Sequence, residues 1–366
     1  MDILAVGTLA LRPRLPSMPL ADAASYPIWV NLLIFAVAGG SVWLFGTRLT
    51  RTLDMIARRS RLGHVFVGML LLGGITSLPE LANVVTASAN GNPALAVNNL
   101  LGSSAINILL LAIADAIVGR RAVTSIVAQP STMMMGTLCM IVLIAIAALV
   151  VLDDILLGPV GLGSLVLGLL SLGFFWLATG HDERSPWTVE EPGAEAPPSP
   201  SRPRRKNGPL QRLWLGVIFW GSLIFAAGYA LSQTGDAIAE QAGIRSGIVG
   251  FALIGTATSL PELVTIIAAL KLRRPEMAFG QILGTNFINL SMLPLGDLIF
   301  DGRPIMNILG SFEILLALLG ATLAGIFIVG LLEHRNRTVF RMGIDSAAVI
   351  LVFALGAGLL AFIPEG

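Results

Sequence analysis

The string Thr-Ser-Leu-Pro-Glu occurs twice, at 76–80 and at 258–262, each time inside a long apolar stretch. An ionisable side chain at such a depth costs at least about 2.5 kcal/mol and by default marks a functional site. Helical spacing sets Thr76 one turn before Glu80 with Ser77 beside it, and Thr258 and Ser259 stand in the same way before Glu262. Pro79 and Pro261 have no N–H to give to the carbonyls of Ile75 and Ala257. In lipid a freed carbonyl needs another partner, and a bound cation is one; the plainer reading is a structural kink. Gly73 and Gly255 head the two strings and leave bare backbone that can be approached closely.

Further along, Asn99, Ser103 and Asn107, and likewise Gln281, Thr285 and Asn289, recur at every fourth residue and so line one face of a helix. Ser103, Asn107, Thr285 and Asn289 are assigned to the site, whereas Asn99 and Gln281 suit a bond between helices equally well. The pooled donors are two carboxylates, amide carbonyls, hydroxyls and backbone carbonyls, with no sulfur, and His64, His181 and His334 fall near helix ends. Such an all-oxygen set suits Ca²⁺, which takes about 6 to 8 oxygens, better than Mg²⁺, which keeps its waters. Na⁺ is another hard, oxygen-seeking ion; zinc and copper would want nitrogen or sulfur.

These residues sit in an internal repeat at a constant offset of 182, the distance from Glu80 to Glu262. From Gly73 to Asn107, 14 of 35 positions are identical to their counterparts from Gly255 to Asn289 without a gap. Composition alone makes two apolar helices similar, but it does not place a Pro-Glu pair and a distant Asn in both. Asp115 and Asp297 pair under the same offset; they fall at helix ends expected to lie close to water, and are read as capping or topological residues outside the site.

The elements that must hold these residues are membrane spans. Hydrophobic residues make up 55% of the chain, charged residues 12%, and mean hydropathy is +0.83, against a charged share of roughly 25% in soluble domains. A spanning helix takes roughly 20 apolar residues, and ten stretches qualify: 28–45, 65–88, 93–118, 124–152, 156–177, 213–232, 244–270, 275–300, 308–332 and 342–363. The first, third, fifth, seventh and ninth connections carry most of the Lys and Arg, including Arg58 and Arg59, Arg120 and Arg121, and Arg273 and Arg274. The positive-inside rule therefore puts both termini outside. Five spans per half is an odd number, so the second half enters the bilayer inverted, an architecture common among secondary transporters.

The expected organisation is an outer tail at 1–27, a five-helix unit at 28–180, a linker at 181–212 and a second five-helix unit at 213–366. The tail's short apolar run also permits a cleaved signal peptide, though it lacks a basic start. The linker is rich in Pro and charge and has too little apolar surface to fold, so it is read as disordered and cytoplasmic. Its basic cluster at 202–206 is read as a topology signal, with contact to anionic lipid as the alternative. No basic-aromatic surface points to nucleic acid, and Cys139, the one cysteine, has no intramolecular partner and packs as a small apolar residue.

The two strings, with Gly102, Ser103 and Asn107 after the first and Gly284, Thr285, Asn286 and Asn289 after the second, resemble the two α-repeats of the calcium/cation antiporter superfamily, in its sodium/calcium exchanger branch. The resemblance implies an all-α integral membrane protein of ten helices in two inverted five-helix repeats, whose first and sixth helices slide past the ion-binding core. It implies that Glu80 and Glu262 are shared Ca²⁺ and Na⁺ ligands, that Thr76, Ser77, Ser103, Thr258, Ser259 and Thr285 serve the Na⁺ sites, and that Asn107 and Asn289 fill the central polar positions. Three departures stand out: Ile75 and Ala257 replace the usual Gly, Ser104 stands where Asn is common, and Asn289 where prokaryotic relatives often have Asp. Two carboxylates then balance one Ca²⁺.

The function expected from these residues is antiport of Ca²⁺ against Na⁺ in a cell membrane, with no cofactor and no enzymatic activity. Ca²⁺/H⁺ exchange is the near alternative, with protons replacing Na⁺ on the two glutamates. A cation channel fits paired broken helices less well. An intramembrane hydrolase lacks an HExxH string and any His or Cys partner within the membrane.

Overall fold

The structure is a computed structural model that describes Leu20 and residues 23–60, 66–118, 130–179, 210–243, 251, 255–333, 338–339 and 342–363. Most of the tail at 1–27, nearly all of the linker at 181–212, the three histidines and most of 244–254 lie outside the described residues.

The first half runs through α1 (Ile28–Ser60), a π-helical turn (Val67–Leu72), α2 (Gly73–Thr76), α3 (Leu78–Ala89), α4 (Pro93–Val118), α5 (Pro130–Val150), a two-strand hairpin of β1 (Leu156–Leu157) and β2 (Val160–Gly161), and α6 (Leu162–Thr179). The second half repeats the order with α7 (Leu210–Gln241), α8 (Gly255–Thr258), α9 (Leu260–Lys271), α10 (Pro275–Ser291), α11 (Leu293–Ile299), α12 (Ser311–Glu333), β3 (Thr338–Val339), β4 (Met342–Gly343) and α13 (Ile344–Leu360). The sequence offset of 182 carries α2 onto α8, α3 onto α9, and β1 and β2 onto β3 and β4 residue for residue.

Among the described residues six helices are long and apolar enough to cross a membrane, or seven when the bent pair Val67–Thr76 and Leu78–Ala89 is taken as one span. Two further apolar helices, Leu162–Ala178 and Ile344–Leu360, fall short because each stretch opens with its hairpin rather than a helical turn. The expected stretch 244–270 is described at Phe251 and from Gly255 onward.

Two apolar assemblies hold these elements. The larger joins α4, α5, α10 and α12 around Leu101, Cys139, Phe279, Phe287 and Phe312. The smaller lies between α1, α7 and α9 and consists of Ala38, Val42, Ala227, Leu231 and Val264. Glycines let α4 and α10 approach the turns before the broken helices: a methyl group on Gly102 would sit 2.9 Å from the Phe251 Cα, and one on Gly284 would sit 2.6 Å from the Met69 oxygen.

The α1–α7 pair does not obey the repeat. A methyl on Gly221 would lie 3.2 Å from Ile75, and one on Gly228 would press on Pro79. Shifted by 182, the second contact becomes Gly46 against Pro261. Instead Gly46 faces Val264, at 3.5 Å from its Cβ, a displacement of three residues, about 4.5 Å of helix rise.

Asp115 and Asp297, expected close to water, are buried. Asp115 accepts from the Gly343 N–H at 2.8 Å and the Ser346 hydroxyl at 2.7 Å. Asp297 accepts from the Gly161 N–H at 3.1 Å, the Ser164 hydroxyl and the Ile305 N–H at 2.7 Å. Each aspartate therefore caps the N-terminus of the other half's last helix, where orphan N–H groups and the dipole favour a carboxylate. Sequence placed them at helix ends; only the fold puts a second helix there.

Candidate cation site

The span expected over 65–88 is interrupted at Ser77, two residues ahead of Pro79, and its two parts meet at 41°. Proline is at home in the first turn of a helix, where its missing N–H costs nothing. The chain therefore stops α2 at Thr76 and starts α3 at Leu78, with Ser77 at φ −79°, ψ 0° between them. Ser259 has nearly the same dihedrals between α8 and α9, φ −84°, ψ 2°. Glu80 and Glu262 consequently lie in the first turns of α3 and α9, at the positive end of each helix dipole.

Every site residue expected from sequence is buried: Thr76, Ser77, Glu80, Ser103, Asn107, Thr258, Ser259, Glu262, Thr285 and Asn289 are all 0% exposed. Gly73 and Gly255 are buried too. The two halves meet through these side chains. The Ser103 hydroxyl lies 3.4 Å from Glu80 Oε1 and 3.4 Å from Thr258 Oγ1, and Thr258 donates to Asn99 Oδ1 at 3.4 Å. The carboxylates of Glu80 and Glu262 lie close enough to repel one another. Gly73 brings α2 against α10, where a methyl would sit 3.0 Å from the Thr285 nitrogen and 3.2 Å from its hydroxyl.

What distinguishes the cluster is the number of buried oxygens without a partner. Among the described residues, Ser77 Oγ, Glu80 Oε2, Asn107 Oδ1, Ser259 Oγ, both Glu262 oxygens, Thr285 Oγ1 and Asn289 Oδ1 have no hydrogen bond. An unmatched buried polar atom costs about 1–3 kcal/mol, more when charged, so such a concentration is stable only if something completes it. Most of the partnerless atoms are oxygens, with the amide nitrogens of Asn99 and Asn289 beside them, and oxygens from two carboxylates, amides and hydroxyls are the donor set of a hard cation. Among the described residues no three of His, Cys, Asp and Glu converge on one point, so the charge available is that of two carboxylates.

Thr76 differs from the ligand pattern in detail: its hydroxyl donates to the Leu72 carbonyl at 3.0 Å, so only its lone pairs face outward. Asn99 and Gln281 part company. Asn99 receives Thr258 from the other half, while Gln281 bonds Thr265 within its own half.

Sequence reasoning did not select Asn286, Ser104 or Thr265. Asn286 takes a hydrogen bond from Asn107 Nδ2 at 2.9 Å and donates to the Ser104 carbonyl at 3.3 Å. Its signal was its place next to Thr285 in the repeat, and Thr265 stands one turn past Glu262.

Comparison with known proteins agrees with this geometry. A family model described as sodium/calcium exchanger protein matches residues 30–180 and 212–364. The chain is 25% identical to a putative antiporter, CaxA, of Alkalimonas amylolytica, over 68% of this chain and 74% of that one. It is 29% identical to the inner membrane protein YrbG of Escherichia coli, over 70% and 76%. Among solved structures, that of the sodium-calcium exchanger NCX_Mj soaked with Na⁺ and Sr²⁺ superposes with a TM-score of 0.64 at 19% identity, covering 92% of this chain and 100% of the other.

Proposed function

Since the chain belongs to the sodium/calcium exchanger protein family, we propose that it is a secondary antiporter exchanging Ca²⁺ for Na⁺ across a cell membrane, with the cations as cargo rather than cofactor. The observation that carries this reading is the pair of fully buried glutamates, one from each half, at the mouths of two broken helices and among partnerless oxygens. In this reading Glu80 and Glu262 neutralise one Ca²⁺, Asn107 and Asn289 add amide oxygens, and the hydroxyls of Thr76, Ser77, Ser103, Thr258, Ser259 and Thr285 complete the shells of Na⁺. Gly73 and Gly255 hold the backbone close. One set of carboxylates cannot hold both cargoes at once, and that competition couples them.

The architecture proposed with it is ten spans in two inverted units, 28–180 and 213–366, joined by a cytoplasmic linker at 181–212, with both termini outside. The three-residue displacement of α1 on α9 relative to α7 on α3 supports alternating access. Inverted repeats make the two faces of the membrane equivalent only on average. At any moment the α1–α7 pair sits nearer one side, and moving it about 4.5 Å along the core produces the mirror state.

The test is Ca²⁺ uptake into Na⁺-loaded vesicles. Glu80→Gln and Glu262→Gln each abolish uptake while eluting as folded protein; near-normal uptake in either variant would falsify the site. Exchange against protons is the second reading, and the charge count favours it at one point: two carboxylates take two protons as neutrally as one Ca²⁺, because Asn289 brings no third charge. Comparing uptake driven by Na⁺ gradients with uptake driven by pH gradients separates the two.

A further inference from the structure

We propose that Asn286 is a positioning residue that turns Asn107 into a cation ligand. The inference rests on the ion site proposed above and adds a residue to it. Asn286, on α10, is fully buried. Its Nδ2 points at the Ser104 backbone carbonyl, 3.3 Å away, and at the Cys139 sulfur, 3.7 Å away. A backbone carbonyl only accepts hydrogen bonds, so that end of the amide is the nitrogen and the other end is the oxygen. The oxygen meets Asn107 at 2.9 Å, and Asn107 must answer with its own Nδ2. By elimination Asn107 Oδ1 is turned the other way, buried and without a partner among the described residues, on the helix face of Ser103, which touches Glu80 and Thr258.

Without this constraint the Asn107 amide has two orientations of similar shape, one offering oxygen and the other offering N–H groups that repel a cation. Asn286 removes the second. The repeat supplies the control. The residue equivalent to Asn286 is Ser104, whose hydroxyl is spent on the Leu100 carbonyl of its own helix at 2.9 Å. The residue equivalent to Asn107 is Asn289, and both of its amide atoms lack partners among the described residues. One central amide is held with its oxygen toward the site and the other has no such anchor among the described residues.

The experiment measures binding of ⁴⁵Ca²⁺ to the purified full-length chain, and exchange in proteoliposomes, for Asn286→Leu and Asn286→Asp. Leucine removes the acceptor that holds Asn107, and losing the partner that orients a ligand weakens binding by about 10–100-fold. Asn286→Leu is therefore expected to raise KM for Ca²⁺ about tenfold at little change in kcat. Asn286→Asp keeps an oxygen facing Asn107 Nδ2 but no longer donates to Ser104, and it keeps Ca²⁺ affinity within about threefold of wild type or tightens it. Asn286→Ala replaces the leucine variant if that protein does not elute as a single folded species. Equal losses in the acidic and apolar variants would show that Asn286 merely braces α10 against α4, and an unchanged KM in the apolar variant would equally overturn the proposal. The ion-site reading fails separately, if Glu80→Gln binds ⁴⁵Ca²⁺ as wild type does.

Discussion

A pair of engineered disulfides tests whether the displacement of α1 and α7 is one station of a transport cycle. A methyl on Gly46 lies 3.5 Å from the Val264 Cβ, at the short end of the roughly 3.5–4.5 Å spacing a disulfide requires. Gly46→Cys with Val264→Cys should therefore oxidise readily and hold the protein in the arrangement described. The repeat gives the complementary pair: subtracting or adding 182 turns Gly46 and Val264 into Gly228 and Ala82. Here Gly228 faces Pro79, three residues short of Ala82, which leaves that pair about 4.5 Å out of register. It comes into register only if α1 and α7 slide together by that distance. With Cys139→Ala removing the native thiol, each pair is oxidised in proteoliposomes during exchange, cross-linking is scored by mass spectrometry, and Ca²⁺ flux is followed before and after reduction. Each cross-link is expected to stop exchange, reduction to restore it, and formation of one to exclude the other. If the second pair never forms during turnover, or the first forms and flux continues at the wild-type rate, the displacement is a fixed irregularity of the fold and the sliding mechanism is wrong.

The same motion passes through an ion pair. Asp54 on α1 is bound at 2.9 Å by Arg58 and at 3.3 Å by Arg274, which precedes α10. A slide of about 4.5 Å would separate Asp54 from Arg274, so Arg274→Gln is expected to shift the populations of the two cross-links about fivefold toward the second pair, equivalent to about 1 kcal/mol; identical cross-linking ratios would remove the ion pair from the cycle. Gly284→Ala forces a methyl to within 2.6 Å of the Met69 carbonyl oxygen, and overpacking of this kind costs about 1–3 kcal/mol. Its melting temperature in detergent should fall by several degrees, and an unchanged value would contradict the close approach. Asn289→Asp adds a third negative charge to the cluster and is expected to alter the ion ratio or the pH dependence of exchange, read as a changed reversal potential; identical potentials and pH profiles would count against its place in the site.

The parts of the fold visible in the sequence are those written in side-chain chemistry. Buried glutamates preceded by proline, and hydroxyls and amides on one face of an apolar helix, are expensive in lipid and stand out from their surroundings twice over. Three things were invisible for physical reasons. Asp115 and Asp297 looked water-facing because a carboxylate near the end of an apolar run usually is; the helix ends that they cap come from residues 228 and 136 positions away. Asn286 looked like any motif neighbour, since its role depends on which atom of its amide meets Ser104. The displacement of α1 depends on how whole helices pack, which motifs shared by the two halves do not encode.

That last point bears on how the cation is handled. Strict symmetry would make the two halves bind identically, yet Thr258 reaches Asn99 across the halves while Gln281, equivalent to Asn99, is occupied by Thr265 in its own half. Asn107 is anchored and Asn289 is not. This asymmetry is written in the chain, because Ser104 can never do what Asn286 does, and Thr265, which holds Gln281, has Asn83 as its counterpart in the first half. The Asn286–Asn107 bond lies between α4 and α10, outside the α1–α7 pair, so the proposed sliding mechanism predicts that it is kept in both positions of that pair. The Asn99 and Gln281 contacts involve α8 and α9, against which α1 and α7 bear, and are the ones that the proposed sliding mechanism would alter.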